Sequence, residues 1–169
     1  MNPQYTRLII VLVAIVGIAG IFILYLSFPL LTGTDVILKT QPVDPFDLLR
    51  GQYLIINYDI SRVNLANAKE GDTIYVSLKE GDDKIWHAEN ASLNKPNSGV
   101  FIRGKAKQSW QSLGVEYGIE QYFFERDAHI PRMDSVKVKI DGSGQARIVE
   151  LLMDGVALNI TYKKPSLTS

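Results

Sequence analysis

The chain has 169 residues, no cysteine, and 18 basic residues against 18 acidic ones. That length suits one domain with an appendage, and the lack of cysteine excludes disulfides, thiolate metal sites and a cysteine nucleophile. With Arg7 set aside, 17 basic residues stand against 18 acidic ones, so the basic excess of a nucleic-acid binder is absent.

The first predicted element is apolar. Leu8 to Leu31, LIIVLVAIVGIAGIFILYLSFPLL, carries no charged residue. A bilayer core of roughly 30 Å needs about 20 apolar helical residues, and the run supplies them before Pro29. A cleaved signal peptide would have a shorter apolar core followed by a small-x-small cleavage pattern. Here the core is long and runs on into Tyr25, Leu26, Ser27, Phe28 and Pro29. A buried helix of a soluble protein would need a larger body around it. The sequence therefore predicts an uncleaved transmembrane helix over 8–31, with 1–7 as a short cytoplasmic N-terminus. Arg7 and the terminal amine precede the helix without an acid, while Asp35 and then Lys39 follow it. This bias places the N-terminus inside and the remainder outside, as in a single-pass protein of the bacterial cytoplasmic (inner) membrane.

Residues 35–162 alternate strand patterns with turn signals. Val36 and Leu38 share one face of Thr34 to Thr40. Leu54, Ile56, Tyr58 and Ile60 share one face of Tyr53 to Ile60, and Ile74, Val76 and Leu78 one face of Thr73 to Lys79. A two-residue period marks strands. Glu80-Gly81-Asp82-Asp83 separates the third of these from Lys84 to Glu89 as a hairpin, and Lys95-Pro96-Asn97-Ser98-Gly99 precedes a strand from Val100 to Lys107. Asp141-Gly142-Ser143-Gly144 joins Val136–Ile140 to Ala146–Leu152, and Met153-Asp154-Gly155 joins that strand to Val156–Tyr162. Such steps supply the positive φ angles of tight hairpins, so the last three strands read as an antiparallel meander. Gly118 to Arg126 is read as two helical turns and Asp44 to Leu49 as one, with Asp44 as N-cap and Pro45 at the first helical position. Val63 to Lys69 is too short to assign. The fold class is mainly β, a β-barrel or sandwich-like domain of about eight strands with one or two short helices. Residues 163–169 read as a loose tail.

Chemistry concentrates in Gln41 to Asp59, QPVDPFDLLRGQYLIINYD. As scaffold, Asp44 caps a turn, Arg50 pairs with Asp47, Gly51 allows a backbone angle closed to other residues, and Tyr53 and Tyr58 pack on opposite strand faces. As a site, Arg50 is a fork for a carboxylate or phosphate, oriented by Asp47.

This segment resembles the GDYXXLXY family of bacterial membrane-anchored proteins. Pro42, Asp44, Pro45, Asp47 and Arg50 match the family's lead-in, and Gly51, Tyr53 and Tyr58 match the motif that names it. Gln52 stands where the family has Asp, which removes a charge, and Ile56 where it has Leu, a nearly neutral exchange. Tyr117-Gly118-Ile119-Glu120-Gln121-Tyr122-Phe123 is similar to the family's second block, and the Asp141-Gly142 and Asp154-Gly155 turns fit its C-terminal part. The resemblance implies an N-terminal membrane segment and an extracytoplasmic domain, and it implies no molecular activity.

The second block has two readings of its own. Tyr117, Tyr122, Phe123 and Phe124, interspersed with Glu116, Glu120, Glu125 and Arg126, are core with solvated charge, or else the aromatic walls of a ligand groove with Glu120 as its polar contact. If Glu120 folds back onto Arg50, a charged pair joins the two blocks.

Enzyme signatures are weak. A hydrolase of the signal-peptidase type would need a nucleophilic serine just before Pro45, but Gln41, Pro42, Val43 and Asp44 fill that window. His87 and His129 lack ligand spacing, so neither a metal nor another cofactor is expected. No phosphate loop, dinucleotide fingerprint or nucleophile elbow is present. The residues point to a binding or assembly module of the cell envelope, partnered by the lipid bilayer and another membrane or envelope protein, with no nucleic acid. The runner-up is an envelope hydrolase, signal-peptidase-like or carboxylate-based, using Asp47 or Glu120.

Overall fold

The computed structural model describes residues 3–41, 53–65, 67–109, 112–123, 128–129, 132–159 and 161–162. The chain divides into two compact units, Met1–Gly33 and Thr34–Ser169.

The first unit is one helix, α1 (Pro3–Thr32). Its apolar span Gln4–Ser27 has 24 residues and a mean hydropathy of 3.1. At 1.5 Å per residue this span measures roughly 36 Å, longer than a hydrocarbon core. Its Leu, Ile and Val side chains are exposed along the whole length, so apolar surface is turned outward on every side. The helix is long and apolar enough to cross a membrane.

The second unit is mainly β. Its main sheet has eight strands, and β1 (Thr34–Lys39) lies near the middle, antiparallel to β9 (Ser135–Ile140). β9 continues through β10 (Ala146–Met153) to β11 (Val156–Ala157), which gives the expected antiparallel meander. On its other side β1 lies parallel to β4 (Trp86–Ser92), which pairs in hairpin fashion with β3 (Thr73–Glu80). β3 is followed across the sheet by β5 (Val100–Ser109) and β6 (Ser112–Glu116). Two short ribbons complete the unit, β2 (Tyr53–Ile55) with β7 (Gln121–Phe123), and β8 (Ala128–His129) with β12 (Thr161–Tyr162).

The alternation read from sequence fixes which face is buried. Val36 and Leu38 of β1, Ile74, Val76 and Leu78 of β3, Ile102 and Ala106 of β5, and Val136, Val138 and Ile140 of β9 meet in one core. At about 25 cal/mol per Å2 of buried apolar surface, each Val, Leu or Ile among them stabilises the fold by roughly 1.5–3 kcal/mol. The sheet does not close into a barrel. Single bonds tie its distant parts instead. The Arg103 N–H of β5 donates to the Gly144 carbonyl in the β9–β10 turn at 2.8 Å, and isolated bridges link Thr40 to Tyr58 and Arg62 to Gly114.

Three expectations change. The strand expected over Tyr53 to Ile60 stops at Ile55, and Asp59–Ser61 forms a 3-10 turn. Ile56, Tyr58 and Ile60 are still buried together, because the chain stays extended at Tyr58, which bridges Thr40, and the two-residue alternation carries on to the start of the turn. The helix expected over Gly118 to Arg126 is strand at Gln121–Phe123, since pairing with β2 supplies ladder partners that a short isolated helix lacks. The glycine-bearing turns take positive φ angles as expected, at Gly144 (83°) in the β9–β10 turn and at Asp154 (51°) and Gly155 (76°) in the β10–β11 turn. The strand expected over Val156 to Tyr162 is divided between β11 and β12. The single helical turn expected over Asp44 to Leu49 and the tail over 163–169 lie outside the described residues.

Candidate functional site

The two sequence blocks that carry the family resemblance meet in space. β2 and β7 run antiparallel with Tyr53 opposite Phe123, Leu54 opposite Tyr122 and Ile55 opposite Gln121. One residue further on, the Ile56 N–H donates to the Glu120 carbonyl at 2.7 Å. Beyond that point the first block leaves the ladder, and side chains take over the pairing. The buried Tyr58 hydroxyl donates to the Ile119 carbonyl at 2.7 Å, and the buried Tyr117 hydroxyl donates to the Ile60 carbonyl at 2.6 Å. Ile60 lies in the 3-10 turn and Ile119 in the bend before β7, so neither carbonyl has a strand partner there. A buried phenol needs an acceptor and a buried carbonyl needs a donor, and each bond meets both needs.

Glu120 closes the bend. Gly118 sits at φ 82°, in the left-handed region that glycine enters at little cost. This aims successive N–H groups inward, where Oε1 of Glu120 accepts from Tyr117 at 2.5 Å and Oε2 from Gly118 at 2.8 Å. Hydrogen bonds to a carboxylate are among the stronger kinds. Burial first, and then the Glu120 charge, push the Tyr58 and Tyr117 phenols far above the usual tyrosine range. Both therefore stay protonated and act as permanent donors.

Of the eight candidate residues read from sequence, Tyr58, Glu120 and Tyr122 come together here, along with the backbone of Tyr53. Asp44, Asp47, Arg50 and Gly51 lie outside the described residues, and with them the Glu120–Arg50 pair. Tyr122 and Leu54, directly opposite one another, are partly buried against the core. The other face of the ribbon carries apolar side chains into solvent, with Phe123 71% exposed and Ile55 47% exposed. The sequence grouped Phe123 with Tyr117, Tyr122 and Phe124, as core or as the walls of a groove. The usable signal was alternation, since in a strand Phe123 must point away from Tyr122, and the helical reading concealed it.

Among the described residues no three His, Asp or Glu side chains gather where a metal ion could sit. His87 is on the surface, 3.5 Å from Asp83.

The family model for the GDYXXLXY protein matches residues 15–151. The chain belongs to this family. The matched region runs from α1 into β10 and takes in both blocks, so the β2–β7 pairing and the crossed tyrosine bonds lie inside the family's own domain. Ile56, which replaces the family's Leu, is fully buried, and an exchange that conserves volume usually costs under about 1.5 kcal/mol. No curated protein and no solved structure matches the chain.

Proposed function

We propose that this member of the GDYXXLXY family is a binding or assembly module of the bacterial cell envelope. Its helix crosses the cytoplasmic membrane once, and its β-domain is extracytoplasmic. It captures another membrane or envelope protein through the outward face of the β2–β7 ribbon. Topology rests on Arg7, which stands in the first turns of α1 ahead of the uncharged run Leu8 to Leu31, with nearly all polar residues following that run.

The observation that carries the reading is the pair Ile55 and Phe123. They are diagonal neighbours on the exposed face, about 7–8 Å apart at such positions. The opposite face of the same ribbon is fixed by the core and by the Ile56–Glu120 bond. Aromatic residues, Phe among them, are enriched at the apolar core of protein interfaces. Of the acids that a hydrolase reading would use, Glu120 has both oxygens held by backbone donors, which leaves that carboxylate poorly placed as a general base.

The test places a photoreactive amino acid at Phe123 in the full chain in bacterial cells. A discrete adduct with an envelope protein is expected, and Ile55→Ser should reduce its yield several-fold. A label that yields no adduct beyond that of a control position such as Arg147, or an adduct indifferent to Ile55→Ser, refutes the ribbon as the binding face.

A further inference from the structure

We infer that the outward face of β3 and β5 binds a neutral oligosaccharide, with Arg103, Lys105, Glu116 and Gln145 as its hydrogen-bonding groups and Tyr75 as its aromatic wall. Every residue involved belongs to the β-domain, and the inference depends on neither the ribbon nor the membrane span.

Alternation builds this face. Ile74 and Val76 of β3 and Ile102 and Ala106 of β5 are buried in the core, so Thr73, Tyr75, Arg103 and Lys105 point the other way. Register sets Tyr75 beside Arg103, Thr73 beside Lys105, and Lys105 beside Glu116 of β6. Gln145 approaches from the β9–β10 turn, which is tied to β5 where the Arg103 N–H donates to the Gly144 carbonyl. These residues line an open depression of about 420 Å3, a volume within the roughly 300–1,000 Å3 of small-molecule sites.

The depression carries both signs of charge, and its charged groups already have partners within the protein. Glu116 pairs with Lys107. Glu116 first, and then Glu120 and Glu70, stabilise the Lys107 ammonium ion. Burial opposes ionisation of Asp141, but the Ser143 and Gln145 donors and the positive charge of Arg103 hold its carboxyl below the usual carboxylate range. Arg103 therefore faces an ionised carboxylate. Lys105 stands beside Glu116 and donates to the Gly71 carbonyl at 3.1 Å and the Thr73 hydroxyl at 3.0 Å. With the signs balanced in this way, a charged ligand meets repulsion along with attraction, and a neutral one meets neither. Hydrogen-bonding capacity is what the depression still offers. A guanidinium and an ammonium carry several donors, a carboxylate several acceptor sites, and an amide both kinds of group. Each hydroxyl of a sugar both donates and accepts, so a row of hydroxyls suits donors and acceptors mixed within one depression.

Tyr75 supplies the apolar contact. Its ring meets that of Phe101 edge to face, with centroids 5.9 Å apart and planes at 65°. Phe101 is itself fixed. It is buried, the Lys95 ammonium lies 5.5 Å from its centroid, and Gly144 is so close that a Cβ there would lie 2.7 Å from the ring. The Tyr75 ring is thus oriented before a ligand arrives, which lowers the ordering cost of binding. The negative face of an aromatic ring attracts C–H groups, and one side of a pyranose is made of them.

The experiment uses the full chain in phosphatidylcholine nanodiscs and saturation-transfer NMR. The probes are cellotriose, maltotriose and chitotriose, all neutral, with inorganic phosphate and alanylalanine as charged comparisons. At least one trisaccharide should bind with a Kd below about 10 mM. Tyr75→Ala should weaken that binding about tenfold, and Gln145→Ala, at an exposed turn position, about fivefold, with circular dichroism confirming the fold of each. Should Tyr75→Ala fail to fold, Gln145→Ala decides alone. Raising salt from about 0.05 to about 0.5 M should leave the affinity unchanged, because a neutral ligand has no charge to screen. Absence of binding by all three sugars overturns the inference, as does binding indifferent to the substitutions or weakened several-fold by salt. Phosphate or alanylalanine bound in place of the sugars reassigns the depression to a charged ligand and overturns it as well. The Phe123 adduct is a separate readout, so the ribbon and the depression stand or fall independently.

Discussion

Tyr58 and Tyr117 lock each other's segments. The Tyr58 hydroxyl reaches the carbonyl two residues beyond Tyr117, at Ile119, and the Tyr117 hydroxyl reaches the carbonyl two residues beyond Tyr58, at Ile60. Replacing either by Phe keeps the ring and orphans a buried carbonyl, at a cost of about 1–3 kcal/mol. Urea unfolding of the full chain in micelles, followed by tryptophan fluorescence, measures each loss. Because both bonds clamp the same pair of segments, the double variant should be non-additive by more than about 0.5 kcal/mol. Strict additivity would mean that the bonds act separately.

The same phenols dictate behaviour in alkali. Their folded-state pKa values lie above the unfolded value of 10.0, so the folded state holds these protons more tightly. Their contribution to stability is fully present below pH 10.0 and is lost as pH rises further, because only the unfolded chain ionises there. A spectrophotometric titration should show Tyr58 and Tyr117 ionising only with unfolding, and one fewer such group in Tyr58→Phe.

Gly104 is required by close approach. A Cβ there would press on Val115 Cγ1 and lie 2.6 Å from the Glu116 carbonyl oxygen and 2.9 Å from Tyr117 Cδ1. The carbonyl belongs to the β5–β6 ladder and cannot move alone. Gly104→Ala should therefore destabilise by about 1–3 kcal/mol. Gly142→Ala, where a Cβ meets nothing within 4 Å, should change stability by less than about 0.5 kcal/mol. Comparing the two urea midpoints checks this.

Thr40 offers a change in the opposite direction. Its hydroxyl is buried at the end of β1 and has no hydrogen-bond partner among the described residues, while its N–H is engaged by the Asp134 carbonyl. Thr40→Val keeps the shape and removes an unmet polar group, so it should raise stability by about 1 kcal/mol. A loss of stability in the urea experiment would mean that the hydroxyl has a partner in solution.

Phe123 and Gly118 show where sequence and structure part. From sequence, Gly118 to Arg126 carries aromatics and acids that fit either helix or strand, and local propensity does not separate them at that length. The partner strand β2, more than sixty residues away in sequence, settles the choice. With it comes the exposed position of Phe123. The two backbone N–H groups that Glu120 accepts from, aligned by the positive φ of Gly118, were likewise not legible in the sequence.

By itself the sequence determined the apolar helix, the inward faces of β1, β3 and β9, most of the hairpins and the family. Each is a local pattern, because periodicity and turn chemistry act over a few residues. Only the tertiary structure decided that the two family blocks pair, that their tyrosines exchange bonds, and that Phe123 faces outward beside Ile55. Those outcomes depend on contacts between segments far apart in the chain, where the partner, and not the local residue order, fixes which groups are satisfied and which remain exposed.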